Sequence, residues 1–176
     1  MDYLITEFGI KWTKENAAEF KGVTNNIYIS GHSAGGHLAA LVATDDSYFK
    51  KLKMRNPIHG VILIDAFGLD MHKYLTVSKS AEDSIYTKVF SHHPEQWKKL
   101  SPINYLNKNT VPFLVLLGGK TYPAITQLNA IFYSELKKYQ PNAPLIIYKR
   151  KKHIPMIGQF YNRRGKAYRD VLGFMK

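Results

Sequence analysis

Four short apolar runs limit the folds open to this chain more than any other feature. They are Ile27-Tyr28-Ile29, Val61-Ile62-Leu63-Ile64, Phe113-Leu114-Val115-Leu116-Leu117 and Leu145-Ile146-Ile147-Tyr148. The second and third are continuous rather than alternating, as expected of strands with both faces covered. Between the runs the apolar spacing becomes helical: Ala34, Leu38, Leu41 and Val42 after the first, then Ile125, Leu128, Phe132, Leu136 and Tyr139 after the third. Pro141 and Pro144 then break the chain ahead of the fourth run. Strands alternating with helices predict an α/β fold, a parallel sheet flanked by helices with right-handed crossovers. Leu4, Phe8 and Trp12, with Ile5 beside them, predict an amphipathic first helix ended by Gly22, and Tyr161, Tyr168, Val171, Leu172 and Met175 predict a last one. Residues 66–105 are too long for an ordinary connection and are expected to form a helical lid insertion near the carboxyl edge of the sheet.

A length of 176 residues suits one domain, residues 1–176, and 45% apolar composition supplies a core. No run approaches the roughly 18 apolar residues of a membrane span, and Met1-Asp2-Tyr3 lacks the basic start of a secretory signal, so the expectation is a soluble, cytoplasmic protein. Cysteine is absent, which excludes disulfides, thiolate metal sites and cysteine nucleophiles. Most of the net charge of +12 lies beyond Lys137, around Lys149-Arg150-Lys151-Lys152 and Arg163-Arg164-Gly165-Lys166. Such clusters can grip anionic polymers, but a charge run of this kind is more often a solvated face, and nucleic acid is not the expected partner.

Gly31-His32-Ser33-Ala34-Gly35 fits G-x-S-x-G and falls between the first strand and a strongly periodic helix. A sharp turn there strains the backbone, and Gly31 and Gly35 are expected to supply the room. The turn lifts the Ser33 hydroxyl off the sheet and points the Ala34 N–H at developing negative charge. A serine needs a base, and in this fold the base comes from the loop after the last strand, where His153 stands. His32 and His37 flank the turn, where side chains pack or orient a loop. His59, His72, His92 and His93 look peripheral, and His92-His93 is a weak metal pair at most.

Gly31-His32-Ser33-Ala34-Gly35-Gly36-His37-Leu38 resembles the nucleophile elbow of the esterase/lipase branch of the α/β-hydrolases, near its carboxylesterase and kynurenine-formamidase-like members. Trp97, Ser101-Pro102-Ile103-Asn104-Tyr105-Leu106 and Pro112-Phe113-Leu114 leading to Gly118-Gly119 resemble the family's approach to its seventh strand. The resemblance implies a serine hydrolase that cleaves ester or amide bonds of small molecules through an acyl-enzyme, with Ser33 as nucleophile, His153 as base, the Ala34 N–H in the oxyanion hole, and neither metal nor organic cofactor.

Two departures from the family pattern bear on this. The family's acid follows the seventh strand, where this chain has Lys120-Thr121-Tyr122-Pro123 and no carboxylate. Some members of the fold carry the acid one strand earlier, which points to Asp65 or, as the second candidate, Asp70; Asp65 could equally cap the turn that follows it. The family also places a glycine-rich oxyanion loop and further strands before the elbow. The expectation is therefore that this chain corresponds to the C-terminal half of a larger hydrolase, with its elbow strand as a sheet edge that a second copy or a partner chain covers. A catalytically impaired hydrolase fold serving as a binding or interaction module is the alternative.

Overall fold

The computed structural model describes residues 4–77 and 83–176. Its four strands, β1 (Ile27–His32), β2 (Ile58–Ile64), β3 (Phe113–Gly118) and β4 (Leu145–Tyr148), pair in parallel in the order β1-β2-β3-β4. The helices among the described residues are α1 (Leu4–Asn16), α2 (Ala34–Thr44), α3 (Ser47–Lys51), α4 (Met71–Val77), α5 (Asp83–Phe90), α6 (Pro94–Lys99), α7 (Pro123–Leu136), α8 (His153–Gly158) and α9 (Lys166–Phe174). Each of the four apolar runs is a strand, and the elements alternate as the periodicity predicts.

Successive strand residues point to opposite faces of a sheet, and here each face has its own core. Val61, Leu63, Phe113 and Val115 pack with Ala39, Ala40, Val42 and Ala43 of α2, Phe49 of α3, and Phe132 and Leu136 of α7. Ile62, Ile64, Leu114 and Leu116 pack with Met156 of α8, Phe160, and Val171 and Phe174 of α9. A third cluster lies within the insertion, where Met71, Leu75 and Phe90 gather Phe67, Tyr74, Tyr86, Trp97 and Leu100. The segment expected as a helical insertion is α4, α5, α6 and a short 3₁₀ turn at Pro102–Tyr105, although its residues 78–82 lie outside the described ones.

Three expectations need correction. In α1 the residues turned inward are Glu7 and Ile10, while Phe8 and Trp12 are about half exposed. Ile10 joins the α2-side core, and Trp12 instead tilts onto Phe20 with ring centroids 6.1 Å apart; the side chains of Leu4 and Ile5 are outside the described residues. The helix also stops short of Gly22: α1 ends at Asn16, and a 3₁₀ turn at Ala17–Phe20 closes on a left-handed Lys21. The last helix is shorter than expected: α9 starts at Lys166, and Tyr161 instead ends a 3₁₀ turn at Gln159–Tyr161 after α8, almost fully exposed. No helix among the described residues is long and apolar enough to cross a membrane.

Candidate active site

β1 ends at His32 and α2 begins at Ala34, so Ser33 alone turns the chain from strand to helix. It does so at φ 55° and ψ −124°, a conformation that costs a residue with a Cβ about 1–3 kcal/mol unless the surroundings impose it. They do impose it here. The Ser33 N–H donates to the Ile64 carbonyl at 3.2 Å, and its own carbonyl accepts from the N–H groups of Gly36, His37 and Phe67 at 3.0, 3.2 and 3.0 Å. A Cβ on Gly31 would lie 2.1 Å from the Gly35 carbonyl oxygen, and one on Gly36 would lie 2.5 Å from the Ala66 Cβ. A Cβ on Gly35 would meet nothing within 4 Å. The room at the turn therefore comes from Gly31 and Gly36 rather than from Gly31 and Gly35, because Gly35 faces solvent and contributes only its backbone to the close approach.

His153 opens α8 rather than lying in a free loop. The preceding turn rests against the end of β3, with the Gly119 N–H donating to the Tyr148 carbonyl and the Lys120 N–H to the Lys151 carbonyl, at 3.0 and 2.9 Å. This carries the His153 ring across the sheet to the elbow, where its Nε2 lies 3.0 Å from Ser33 Oγ and its Nδ1 lies 2.9 Å from Asp65 Oδ2. The ionised carboxylate can only accept, so Nδ1 carries the proton and Nε2 keeps its lone pair for the Ser33 hydroxyl. The His153 side chain is only 11% exposed.

Asp65 directly follows β2, is fully buried and has φ 49°. Its Oδ1 accepts the Gly118 N–H at 2.7 Å, and its Oδ2 accepts the Thr121 hydroxyl as well as His153 Nδ1–H. Three donors compensate a carboxylate that would otherwise be costly to bury. Its oxygens thus serve neighbouring segments instead of capping the turn that follows. Asp70 does the capping: its Oδ1 accepts the Lys73 N–H at 2.9 Å at the start of α4. Thr121 stands in the stretch after β3 where the resemblance implies an acid, and it reaches the same carboxylate as a donor. Only its position could have flagged it, since threonine carries no charge signal.

Two rings flank His153. His32 stacks on it, with centroids 4.4 Å apart and planes at 30°, and Tyr122 lies 5.3 Å away at 57°. Burial holds the His32 imidazole below its ordinary pKa, more than the hydrogen bond to the His153 carbonyl and the Asp65 charge raise it. His37 is fully buried, with its pKa lowered to about 4 by burial against the opposing pull of its bond to the Gly68 carbonyl at 2.7 Å. Its Nε2 has no partner among the described residues. His59, His92 and His93 are exposed, away from this cluster, and no group of three or more metal-ligating side chains occurs among the described residues.

Ala34 is exposed at the first position of α2, where N–H groups have no partner inside the helix. The arrangement can thus offer a hydroxyl, an imidazole nitrogen able to accept its proton, a buried carboxylate that orients that imidazole, and a backbone donor beside Ser33. Lys149, Arg150, Lys152, Arg163 and Arg164 are all exposed, and Lys166 pairs with Asp170 at 2.6 Å.

The comparisons with known proteins agree with this fold. The BD-FAE family model matches residues 6–131. Esterase LipC of Mycobacterium tuberculosis is 30% identical over 63% of this chain and 30% of its own length. The isoprenylcysteine α-carbonyl methylesterase ICME of Arabidopsis thaliana is 28% identical over 90% of this chain and 40% of its own. The chain therefore spans less than half the length of these curated relatives. Among solved structures, a truncated form of a carbohydrate esterase from gut microbiota superposes with a TM-score of 0.76 at 18% identity, covering 98% of this chain and 66% of that one. A family match over most of the sequence and a shared architecture together place this chain in the BD-FAE family, within the esterase/lipase branch of the α/β-hydrolases.

Proposed function

We propose that this chain carries the catalytic centre of a serine esterase that cleaves carboxylic esters, or amides, of small molecules through an acyl-enzyme. The observation that carries this is the unbroken relay from Ser33 Oγ through the His153 ring to the buried Asp65 carboxylate. The names of LipC and ICME, an esterase and a methylesterase, support the same reaction class.

In the proposed cycle Ser33 Oγ attacks the carbonyl carbon while its proton passes to His153 Nε2. Asp65 holds the ring in the reactive tautomer and stabilises the imidazolium. The Ala34 N–H, at the positive end of α2, donates to the oxyanion. When the carbon–oxygen bond to the alcohol breaks, His153 returns the proton to the leaving oxygen, and a water activated in the same way then frees the acid. The chemistry needs neither metal nor organic cofactor. The aromatic residues of the insertion, with Phe67 hydrogen-bonded to the Ser33 carbonyl, would wall one side of the substrate site.

β1 has a strand neighbour on one side only among the described residues. An open edge of this kind favours a cover, either a second copy or a partner chain. A solution mass above that of the 20.2 kDa chain would support it, and a stable monomer with a solvated β1 edge would count against it.

The direct test of the enzyme is labelling by a fluorophosphonate together with turnover of a p-nitrophenyl ester panel. The expected result is stoichiometric modification of Ser33 and measurable hydrolysis, both abolished in Ser33→Ala. A folded protein whose Ser33 stays unmodified would instead support the catalytically impaired binding module.

A further inference from the structure

The nucleophile and its base hang from opposite ends of the sheet. Ser33 follows β1 and His153 follows β4, with β2 and β3 between them, so the two are not on directly paired strands. Yet Nε2 and Oγ meet at 3.0 Å. Two hydrogen bonds join the end of β1 to residue 153 among the described residues: the reactive contact itself, and a second from His32 Nε2–H to the His153 carbonyl oxygen at 3.1 Å. The carbonyl can only accept, so the proton is on His32 Nε2. The backbone at residue 32 is itself fixed by its pairing with Ile64 in β2. The same imidazole stacks on the His153 ring, with centroids 4.4 Å apart and planes 30° from parallel.

We propose that His32 is the positioning residue of the histidine base. It ties the start of α8 to the end of β1 through the His153 carbonyl, and its ring is the wall against which the His153 imidazole stays in line between Ser33 and Asp65. This rests on the role given above to Ser33, His153 and Asp65. Asp65 and Ser33 bond the edges of the His153 ring and the turn before α8 rests on β3; His32 adds a tie from β1 to the His153 backbone and a surface against the ring face, and one side chain does both because it immediately precedes the nucleophile. The lowered pKa of His32 fits the role, since a neutral partner does not oppose the positive charge that His153 acquires during turnover. The Asp65 carboxylate, bonded to His153 Nδ1, also acts electrostatically on His32.

Three variants of the full chain separate the two contacts. His32→Ala removes both, His32→Phe keeps a stacking ring without the donor, and His32→Gln keeps an N–H donor of similar reach. With p-nitrophenyl acetate, His32→Ala should lose about a hundredfold in kcat with KM within about twofold, the size expected when a catalytic group shifts by about 1 Å. His32→Gln should recover to within about tenfold of the parent, with His32→Phe between the two. Thermal melts show which variants are folded, and Gln and Phe carry the test if Ala is not. Imidazole ¹H–¹⁵N spectra read the same claim without turnover: His32 should report the Nε2–H tautomer, and the hydrogen-bonded His153 Nδ1–H signal should broaden or vanish in His32→Ala. A kcat within threefold of the parent, a loss confined to KM, or an unchanged His153 signal would overturn the proposal. A parent chain unreactive towards the fluorophosphonate overturns the esterase instead, and the spectra still decide the fate of the clamp.

Discussion

The inner and outer strands of this sheet make opposite contributions to the site. β2 and β3 are buried almost end to end, and from their carboxyl ends come Asp65 and the Gly118 N–H that holds it. β1 and β4 are half exposed, and from them come Ser33 and His153. The difference follows from chemistry. A carboxylate that must stay ionised and fixed next to an imidazole gains from a dry, rigid setting with every oxygen satisfied. In the roles proposed for them, Ser33 and His153 would have to meet substrate and water, which suits the margins of the fold. Margins move more than centres, so the groups placed there need ties to the centre, and Asp65 is one of them.

The most severe way to break this division is to spoil the central anchor. Asp65→Asn keeps the shape but offers an amide where the ring needs an acceptor, and kcat on a p-nitrophenyl ester should fall by about 10⁴ with little change in KM. Asp70→Ala, which only removes a helix cap, should cost about 1 kcal/mol of stability and leave kcat within about threefold. A comparable loss of kcat at both positions would contradict the assignment. Packing gives the next largest contrast. Leu63→Ala in β2, at a fully buried position, should destabilise by about 2–5 kcal/mol in urea melts, against about 1 kcal/mol for Ile29→Ala on half-buried β1. Equal costs would mean that the β1 edge is covered in solution, which turns this pair into a probe for a companion chain.

A further contrast concerns the buried imidazole of α2. The His37 pKa falls from its ordinary 6.5 to about 4 in the fold. Below pH 6.5 the unfolded chain takes up a proton that the folded chain refuses, so the stabilisation from neutral His37 is complete above 6.5 and is lost progressively down to about 4. At pH 5 that amounts to roughly 2 kcal/mol relative to pH 7.5. His37→Asn retains a donor for the Gly68 carbonyl and should flatten this part of the pH dependence. An unchanged slope would assign it to other groups.

Where physical determinants are local, the sequence was sufficient. The strands were legible because continuous apolar runs have few other uses. The elbow was legible because the clash that demands glycine at 31 is with a carbonyl only four residues away. The position of His153 just after the fourth apolar run was legible, and the resemblance made it the candidate base. The sequence put Asp65 only narrowly ahead of Asp70: both follow β2 within six residues, and the backbone at Asp65, at positive φ, is what carries that carboxylate to His153 Nδ1. Thr121 was equally silent, because a hydroxyl acquires its role only from what folds against it.

The amino-acid order by itself determined the alternation of strand and helix, the sharp turn at Ser33 and the insertion of helices after β2, since each rests on contacts among near neighbours or on a periodicity written along one segment. Tertiary structure decided which carboxylate meets His153, which face of α1 turns inward and where the last helix begins. Those outcomes depend on distances between segments remote in the chain, and hydrophobic spacing carries no information about which of several similar residues will be carried into contact when the layers close.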